Sequence, residues 1–129
     1  MRLNQVTASA RDLAASTAFY QALGLKLIVR SDHYVRFECP DADGGEPATF
    51  SLHVDPAASG VTQTTIYFEE GDLDATVARL KGQGLVFDSD PVDQRWQWRE
   101  AYLRDPTGNV ICLYSAPKTR RFPPWRVEG

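Results

Sequence analysis

A repeated block of fourteen residues restricts the fold of this chain more than any other feature. Residues 12–25 read DLAASTAFYQALGL and residues 72–85 read DLDATVARLKGQGL, and six aligned positions are identical at a constant offset of 60. Each copy begins with an aspartate, which can cap the free N–H groups of a helix, and carries a glycine where a left-handed helix end suits it. Apolar residues recur at helical spacing between them. The repeat therefore predicts two copies of one unit, each with an amphipathic helix.

Strand-like segments surround each predicted helix in the same order, one before it and three after it. In the first copy the predicted strands are residues 3–9, 25–30, 33–39 and 49–54. In the second copy they are residues 64–69, 85–88, 98–104 and 109–114. The predicted fold class is therefore α+β, with two tandem βαβββ units.

The predicted organisation is one domain over residues 1–116, made of the repeats 3–55 and 62–116 and followed by an extended tail over 117–129. The tail is rich in proline and arginine, and its Phe122 and Trp125 are expected to pack on the domain or on a second subunit. A chain of 129 residues is long enough for one core of this size.

Composition and charge argue against several classes of partner. The net charge is −3, which offers no basic face for nucleic acid. No apolar run approaches the roughly 20 residues that span a bilayer, and the N-terminus shows no signal-peptide block. Cys39 and Cys112 lie far apart without C-x-x-C spacing, which favours reduced thiols in a cytoplasmic protein.

Two motifs, one in each half, carry a family resemblance. Segment 12–25 is similar to the pattern D-L-x-x-S-x-x-F-Y-x-x-L-G-L, and segment 96–109 is similar to W-G-x-R-E-A followed by D-P-x-G-N. These patterns resemble the vicinal oxygen chelate superfamily, which includes glyoxalase I, bleomycin-resistance proteins, fosfomycin-resistance enzymes and extradiol dioxygenases. The resemblance covers residues 3–116 and implies the glyoxalase/bleomycin-resistance fold, in which cupped mixed β-sheets enclose a small-molecule pocket. It also implies a two-fold homodimer. It does not imply one chemistry, because this fold hosts many unrelated reactions.

Metal-dependent members of that superfamily place one ligand on each of four strands, usually His or Gln and Glu in each half. By the resemblance, these positions fall on Gln5, Ser51, Thr65 and Cys112. Only Gln5 is a usual member of that set, and neutral hydroxyls hold divalent ions poorly. The resemblance therefore implies a pocket that has lost its metal and needs no cofactor. A displaced metal site that uses His53 and Cys112 is the alternative.

Other side chains are candidates for the pocket wall. Tyr34, Arg36 and Glu38 share one strand face, which is either solvated or able to bind a carboxylate through Arg36. His53 faces either the pocket or the solvent. Trp96 matches a tryptophan that related proteins use near the pocket mouth, or it covers a sheet edge. The predicted ligand-binding residues are Gln5, Arg36, Ser51, His53, Thr65, Tyr67, Trp96, Arg99 and Cys112.

The function expected from these residues is metal-free binding of a small molecule by a cytoplasmic homodimer, of the resistance or sequestration type. A flat aromatic ligand fits a pocket with a polar base and an aromatic rim better than a dicarbonyl, which needs a metal to chelate it. The competing interpretation is a lyase, isomerase or dioxygenase that uses the displaced metal, or acid–base residues such as His53 and Glu100. A third is an interaction module whose pocket is vestigial. No residue is assigned as catalytic.

Overall fold

The computed structural model of the chain describes residues 1–40, 44–59, 64–116 and 118–127. It divides into two compact units. The first comprises Met1–Gln63 with the loop Asp105–Asn109, and the second comprises Thr64–Arg104 with Val110–Gly129. Each contains one helix and one four-stranded mixed sheet. The predicted α+β class and the two βαβββ units are therefore confirmed.

The first unit is built around one helix and its sheet. Its elements are β1 (Gln5–Ala10), α1 (Leu13–Leu23), β2 (Lys26–Arg30), β3 (Tyr34–Cys39) and β4 (Ala48–Val54). The strand order is β1-β4-β3-β2, and only the β1–β4 pair is parallel. The Asp12 carboxylate accepts a hydrogen bond from the Ala15 N–H at 3.0 Å, and Gly24 ends the helix with a φ of 109°. Both predicted helix signals are therefore used.

The second unit repeats this plan. Its elements are β5 (Thr65–Glu69), α2 (Leu73–Gly82), β6 (Val92–Asp93), β7 (Arg99–Arg104) and β8 (Val110–Ser115). The order is β5-β8-β7-β6, with β5 parallel to β8. The Asp72 carboxylate caps α2 by accepting from the Ala75 N–H at 3.1 Å. Leu73, Val77 and Leu80 form the buried stripe of this helix, as its 3.6-residue periodicity predicts.

The predicted strand over residues 85–88 is wrong. In the structure this segment makes a single bridge, from Phe87 to Leu103, and the edge of the sheet is the short β6 instead. The Oγ of Ser89 accepts the Tyr102 N–H at 3.1 Å, so a side chain takes a donor that a longer strand would use. Pro91 follows and has no N–H to give to a ladder.

The tail is not extended in its described part, because two turns fold it. The Phe122 N–H donates to the Lys118 carbonyl at 2.9 Å, and the Arg126 N–H donates to the Pro123 carbonyl at 3.0 Å. Phe122 is 57% exposed and Trp125 is 58% exposed. The predicted start of the second repeat at residue 62 and the tail positions 117, 128 and 129 lie outside the described residues.

No helix within the described ranges is both long and apolar enough to cross a membrane. Cys39 and Cys112 are both free thiols, the first half-buried and the second buried.

Candidate functional site

In the first unit, the sheet uses its two faces for different purposes. Phe37 and Phe50 point toward α1, where their rings lie 5.9 and 4.6 Å from the ring of Tyr20. Strand alternation then places Tyr34 and Arg36 on the opposite face. Four of the predicted ligand-binding residues share that opposite face: Gln5, Arg36, Ser51 and His53.

A hydrogen-bonded network occupies the centre of this polar face. Arg36 lies opposite Ser51 in the β3–β4 register, and Tyr34 lies opposite His53. The Tyr34 Oη is 2.7 Å from the Ser51 Oγ and accepts a hydrogen bond from the Arg36 Nε at 2.9 Å. Ser51 is fully buried, whereas Tyr34 and Arg36 are half-buried. The network therefore fixes the guanidinium group of Arg36 against the sheet.

The same contacts change the acidity of Tyr34. Burial acts to raise the pKa of its phenol. The hydrogen bonds with Ser51 and Arg36 and the positive charge of Arg36 act to lower this pKa, and together they outweigh burial. The net result is a pKa of Tyr34 below its usual value, because hydrogen bonds to the oxygen favour its charged form.

Gln5 lies on the edge strand β1 and His53 lies near the end of the interior strand β4, and both are exposed. The Gln5 Oε1 accepts a hydrogen bond from the Thr49 Oγ at 2.8 Å. The ring of His53 lies 6.2 Å from the ring of His33 in an edge-on arrangement.

A buried carboxylate dominates the corresponding face of the second sheet. Glu100 is 2% exposed. Its Oε2 accepts a hydrogen bond from the Trp96 Nε1 at 2.9 Å, and its Oε1 accepts one from the Tyr102 Oη at 2.9 Å. In the part of the chain that the structure describes, no cation forms an ion pair with it. Sequence reasoning considered Glu100 only as an acid–base residue of the enzyme alternative, although its Trp and Tyr neighbours were a usable signal.

Cys112 lies opposite Tyr102 in the β7–β8 register and close to this carboxylate. Burial, reinforced by the negative charge of Glu100, raises the pKa of the Cys112 thiol to about 12, although the hydrogen bond with Tyr102 acts in the other direction. The thiol is therefore protonated at neutral pH. Thr65, another predicted ligand-binding residue, is half-buried at the start of β5 and pairs with Val110.

Three rings of the second unit form what we call the aromatic triad, namely Tyr67, Trp98 and Tyr114. Trp98 stacks on Tyr114 with centroids 4.7 Å apart and planes 20° from parallel. Tyr67 meets both rings edge-on, at 6.0 and 5.9 Å. Tyr67 is 48% exposed, so the triad has one open side. Its packing extends to Cys112 and Tyr102 on the same face.

Trp96 lies in a turn rather than on a strand, and its indole is not part of the triad. The Gln97 N–H donates to the Gln94 carbonyl at 2.9 Å, and the Gln94 N–H donates to the Trp98 carbonyl at 2.7 Å. Gln97 has a φ of 70°, the one positive φ of a non-glycine residue among those described. The resembling family pattern has glycine at this position, which adopts a left-handed backbone at little cost.

Arg99 is not brought together with the other predicted residues. Neighbouring strand residues point to opposite faces, so Arg99 faces away from Glu100. Its guanidinium pairs with Asp74 on α2 at 2.8 Å and with Asp93 on β6 at 3.1 Å. These hydrogen bonds raise the pKa of Arg99, and the hydrogen bond from Arg99 lowers the pKa of Asp74. We therefore leave Arg99 out of the proposed site.

The D-P-T-G-N segment organises a loop of the first unit. The Oδ1 of Asp105 accepts the N–H groups of Thr107, Gly108 and Asn109 at 2.9–3.0 Å. Its Oδ2 accepts the Tyr20 hydroxyl at 2.7 Å and the Asn109 Nδ2 at 2.8 Å. Asp105 is 4% exposed, and all these bonds are internal to the unit. The motif therefore stabilises the fold, and both oxygens of the Asp105 carboxylate are used by hydrogen bonds within the unit rather than by a ligand.

The four positions that carry a metal in related proteins do not suit one in this chain. The Gln5 oxygen and the Ser51 hydroxyl already bond Thr49 and Tyr34, and Thr65 supplies a neutral hydroxyl. Cys112 alone could supply a soft thiolate, which would leave the other coordination positions of a metal without an imidazole or carboxylate ligand. Among the described residues, no group of three or more His, Cys, Asp and Glu side chains is placed to hold an ion. In the part of the chain that the structure describes, His53 and Cys112 likewise have no third ligand of this kind beside them, which argues against the displaced site.

A separate cleft of about 360 Å³ lies in the first unit between α1 and the turn that joins β2 to β3. Thr17, Gln21 and Asp32 are among the residues that line it. None of the predicted ligand-binding residues lines this cleft.

Comparison with known proteins places this geometry in a family. The model of the Glyoxalase/Bleomycin resistance protein/Dioxygenase superfamily matches residues 2–113. No curated protein matches the chain.

Solved structures share the fold at low sequence identity. A glyoxalase/bleomycin resistance protein/dioxygenase from Nocardioides is 22% identical with a TM-score of 0.76, covering 99% of this chain and 90% of that one. Lactoylglutathione lyase from Agrobacterium tumefaciens is 20% identical with a TM-score of 0.73, covering 89% and 93%. A bleomycin-binding protein solved with bleomycin is 19% identical with a TM-score of 0.72, covering 90% and 98%. The chain belongs to the glyoxalase/bleomycin resistance protein/dioxygenase superfamily.

Proposed function

We propose that this protein binds a flat organic small molecule on the aromatic triad, as a resistance or sequestration protein and without a metal. The observation that carries this proposal is the stacked pair of Trp98 and Tyr114 with the half-exposed ring of Tyr67 at its side. A further aromatic ring can stack on or meet the edge of such a cluster, which contributes about 0.5–1.5 kcal/mol beyond the burial of its area.

The chemistry around the triad supports a binding role rather than turnover. The hydroxyl of Tyr102 and the indole N–H of Trp96 are both engaged by Glu100. The thiol of Cys112 is protonated, so it is not an activated nucleophile. A dicarbonyl substrate needs a metal to chelate its oxygens, and the family's metal positions hold unsuitable donors. One protein of the same fold has been solved in complex with bleomycin, which it binds.

Trp96 takes a different role in this proposal from the one its sequence position predicts. Its indole N–H is fixed on the buried carboxylate of Glu100, so it orders the turn beside the triad. We therefore assign ring stacking to Trp98. The cytoplasmic location and the homodimer expected from the sequence are part of the same proposal.

The test is a fluorescence titration of the protein with flat aromatic compounds. We expect saturable quenching, and we expect Trp98→Leu to weaken binding by about two- to twelvefold, which corresponds to the loss of one stacking contact. Trp125→Leu removes the same side chain from the tail and serves as the matched control, with unchanged affinity. Tyr67→Ala changes a half-exposed ring of the triad and keeps the test decisive if Trp98→Leu does not fold.

Two results would contradict the proposal. One is affinity that remains unchanged in both Trp98→Leu and Tyr67→Ala. The other is turnover of a hemithioacetal by metal-loaded protein, which would make the chain a glyoxalase-type enzyme.

A further inference from the structure

Arg36 carries a positive charge that no carboxylate neutralises in the described part of the chain. Its guanidinium is half-buried on the polar face of the first sheet, and no Asp or Glu oxygen described in the structure lies within 4.0 Å of it. Among the described residues, the one hydrogen bond of this guanidinium is the bond from its Nε to the Tyr34 Oη. A half-buried charge without a partner loses part of its hydration and gains no ion pair in return.

The acidic residue nearest in sequence on the same face does not compensate this charge. Glu38 lies two residues along β3, and its carboxylate is directed toward β2, where its oxygen is 4.0 Å from the Lys26 Nζ. In the β1–β4–β3 register the residues directly beside Arg36 are Ser51 and Thr7, and both carry neutral hydroxyls.

The position of the guanidinium is also fixed before any ligand arrives. The hydrogen bond from its Nε ties it to Tyr34, and its central carbon lies 5.4 Å from the centre of the same ring. Tyr34 is in turn bonded to the fully buried Ser51. A guanidinium has five N–H donors in a rigid plane, so four remain on the two Nη atoms after the Nε is used. Two such donors match the two oxygens of a carboxylate or a phosphate.

We propose that the polar face of the first sheet is an oxyanion-binding site, in which the Nη groups of Arg36 hold a carboxylate or a phosphate group beside the Tyr34–Ser51 hydroxyl pair. The site lies wholly in the first unit and is independent of the aromatic triad, which belongs to the second. Failure of one proposal therefore leaves the other standing.

The experiment follows the arginine side-chain N–H resonances of the ¹⁵N-labelled protein. Sodium acetate and inorganic phosphate are titrated in separate samples, and sodium chloride at equal ionic strength and neutral acetamide are the reference titrations. The Arg36 Nε–H signal is assigned by its absence from the Arg36→Lys spectrum. We expect this signal to shift saturably with acetate or phosphate and to stay unchanged with acetamide and chloride. The two anion titrations show whether a carboxylate or a phosphate is preferred.

Variants make the test specific to this guanidinium. Arg36→Gln should bind the preferred anion at least about tenfold more weakly, because it loses two charge-assisted hydrogen bonds. Arg36→Lys keeps the positive charge but loses the planar pair of N–H donors, so its affinity for the anion should lie between those of wild type and Arg36→Gln. Arg30→Gln removes an exposed arginine from β2 with the same change of charge and should bind as wild type.

The proposal is overturned by a linear shift equal to that caused by chloride, or by anion affinity that Arg36→Gln retains. If Arg36→Gln does not fold, the titration of the wild-type Arg36 signal decides alone. Absence of a saturable shift with both anions also refutes the site.

Discussion

The hydrogen bond from Tyr20 to Asp105 offers a sharp test of how the first unit is held together. Tyr20→Phe removes only the hydroxyl, and the ring keeps its contacts with Phe37 and Phe50. The lost bond is 2.7 Å long, joins two buried groups and ends on a carboxylate. Asn109 still donates to the same oxygen, so Asp105 keeps one of its two partners there.

The magnitude follows from that geometry. A hydrogen bond to a charged group contributes about 1.5–3 kcal/mol, so the free energy of unfolding should fall by about this amount. Urea unfolding followed by circular dichroism measures it directly. Tyr67→Phe removes the same atom from a half-exposed ring and should change stability by less than about 0.5 kcal/mol.

Equal stabilities of Tyr20→Phe and Tyr67→Phe would refute this reasoning. That result would mean that the buried hydroxyl gains nothing over its hydration in the unfolded chain. The raised pKa of Tyr20, which results first from burial and then from the charge of Asp105, agrees with a hydroxyl that keeps its proton to donate.

Four further measurements follow from the structure. Purified protein should carry much less than one divalent ion per chain, and a chelator should leave its Tm unchanged, because a metal that binds only the folded state would stabilise it. Sedimentation should show a dimer, and truncation after Ala116 should weaken it, since Phe122 and Trp125 are more than half exposed in one chain. Iodoacetamide at pH 8 should alkylate Cys112 roughly a thousandfold more slowly in folded than in unfolded protein, because its pKa rises from 9.0 to about 12. Gln97→Gly should stabilise the chain by about 0.5–1 kcal/mol through relief of its positive φ.

Each of these has a clear contrary result. Stoichiometric metal whose removal lowers the Tm, a monomer at micromolar concentration, rapid labelling of Cys112, or a less stable Gln97→Gly would each contradict the corresponding expectation. The raised pKa of Cys112 also predicts how stability depends on pH. Because the thiol ionises at lower pH in the unfolded chain than in the folded one, the contribution of Cys112 to the free energy of unfolding is present below pH 9 and is lost as the pH rises toward 12.

The sequence predicted most of the fold because its signals are local. Asp12 and Asp72 cap the two helices as expected, since a capping side chain needs only the N–H three residues on. Local signals could not exclude the strand predicted at 85–88. The N–H of Tyr102, which a longer strand would use, donates instead to the side-chain Oγ of Ser89, thirteen residues away in sequence. Tertiary competition of this kind leaves no local pattern.

The part of the candidate site that the sequence predicted correctly also depends on a local signal. Strand alternation alone places Arg36 and Ser51 on one face, because the side-chain period of a strand is two. Alternation cannot say which of Arg99 and Glu100 meets the helix, and a fully buried glutamate is rare enough to be passed over. The turn at Gln97, with its unusual φ, is what brings Trp96 to Glu100.

The two repeats keep one face of their sheets alike and let the other diverge. Leu52 and Leu113 are identical at equivalent positions and are both buried. Ser51 and Cys112 are their neighbours on the other face, and opposite them in register stand a guanidinium in the first unit and the phenol of Tyr102 in the second. Packing against a helix favours apolar residues over most of the first face, whereas the opposite face carries buried polar groups and partly exposed side chains that differ between the two units. Substitutions of the partly exposed side chains on this face, Arg36 and Tyr67, should therefore change binding more than stability, whereas substitutions of the buried Ser51 and Cys112 should change stability as well.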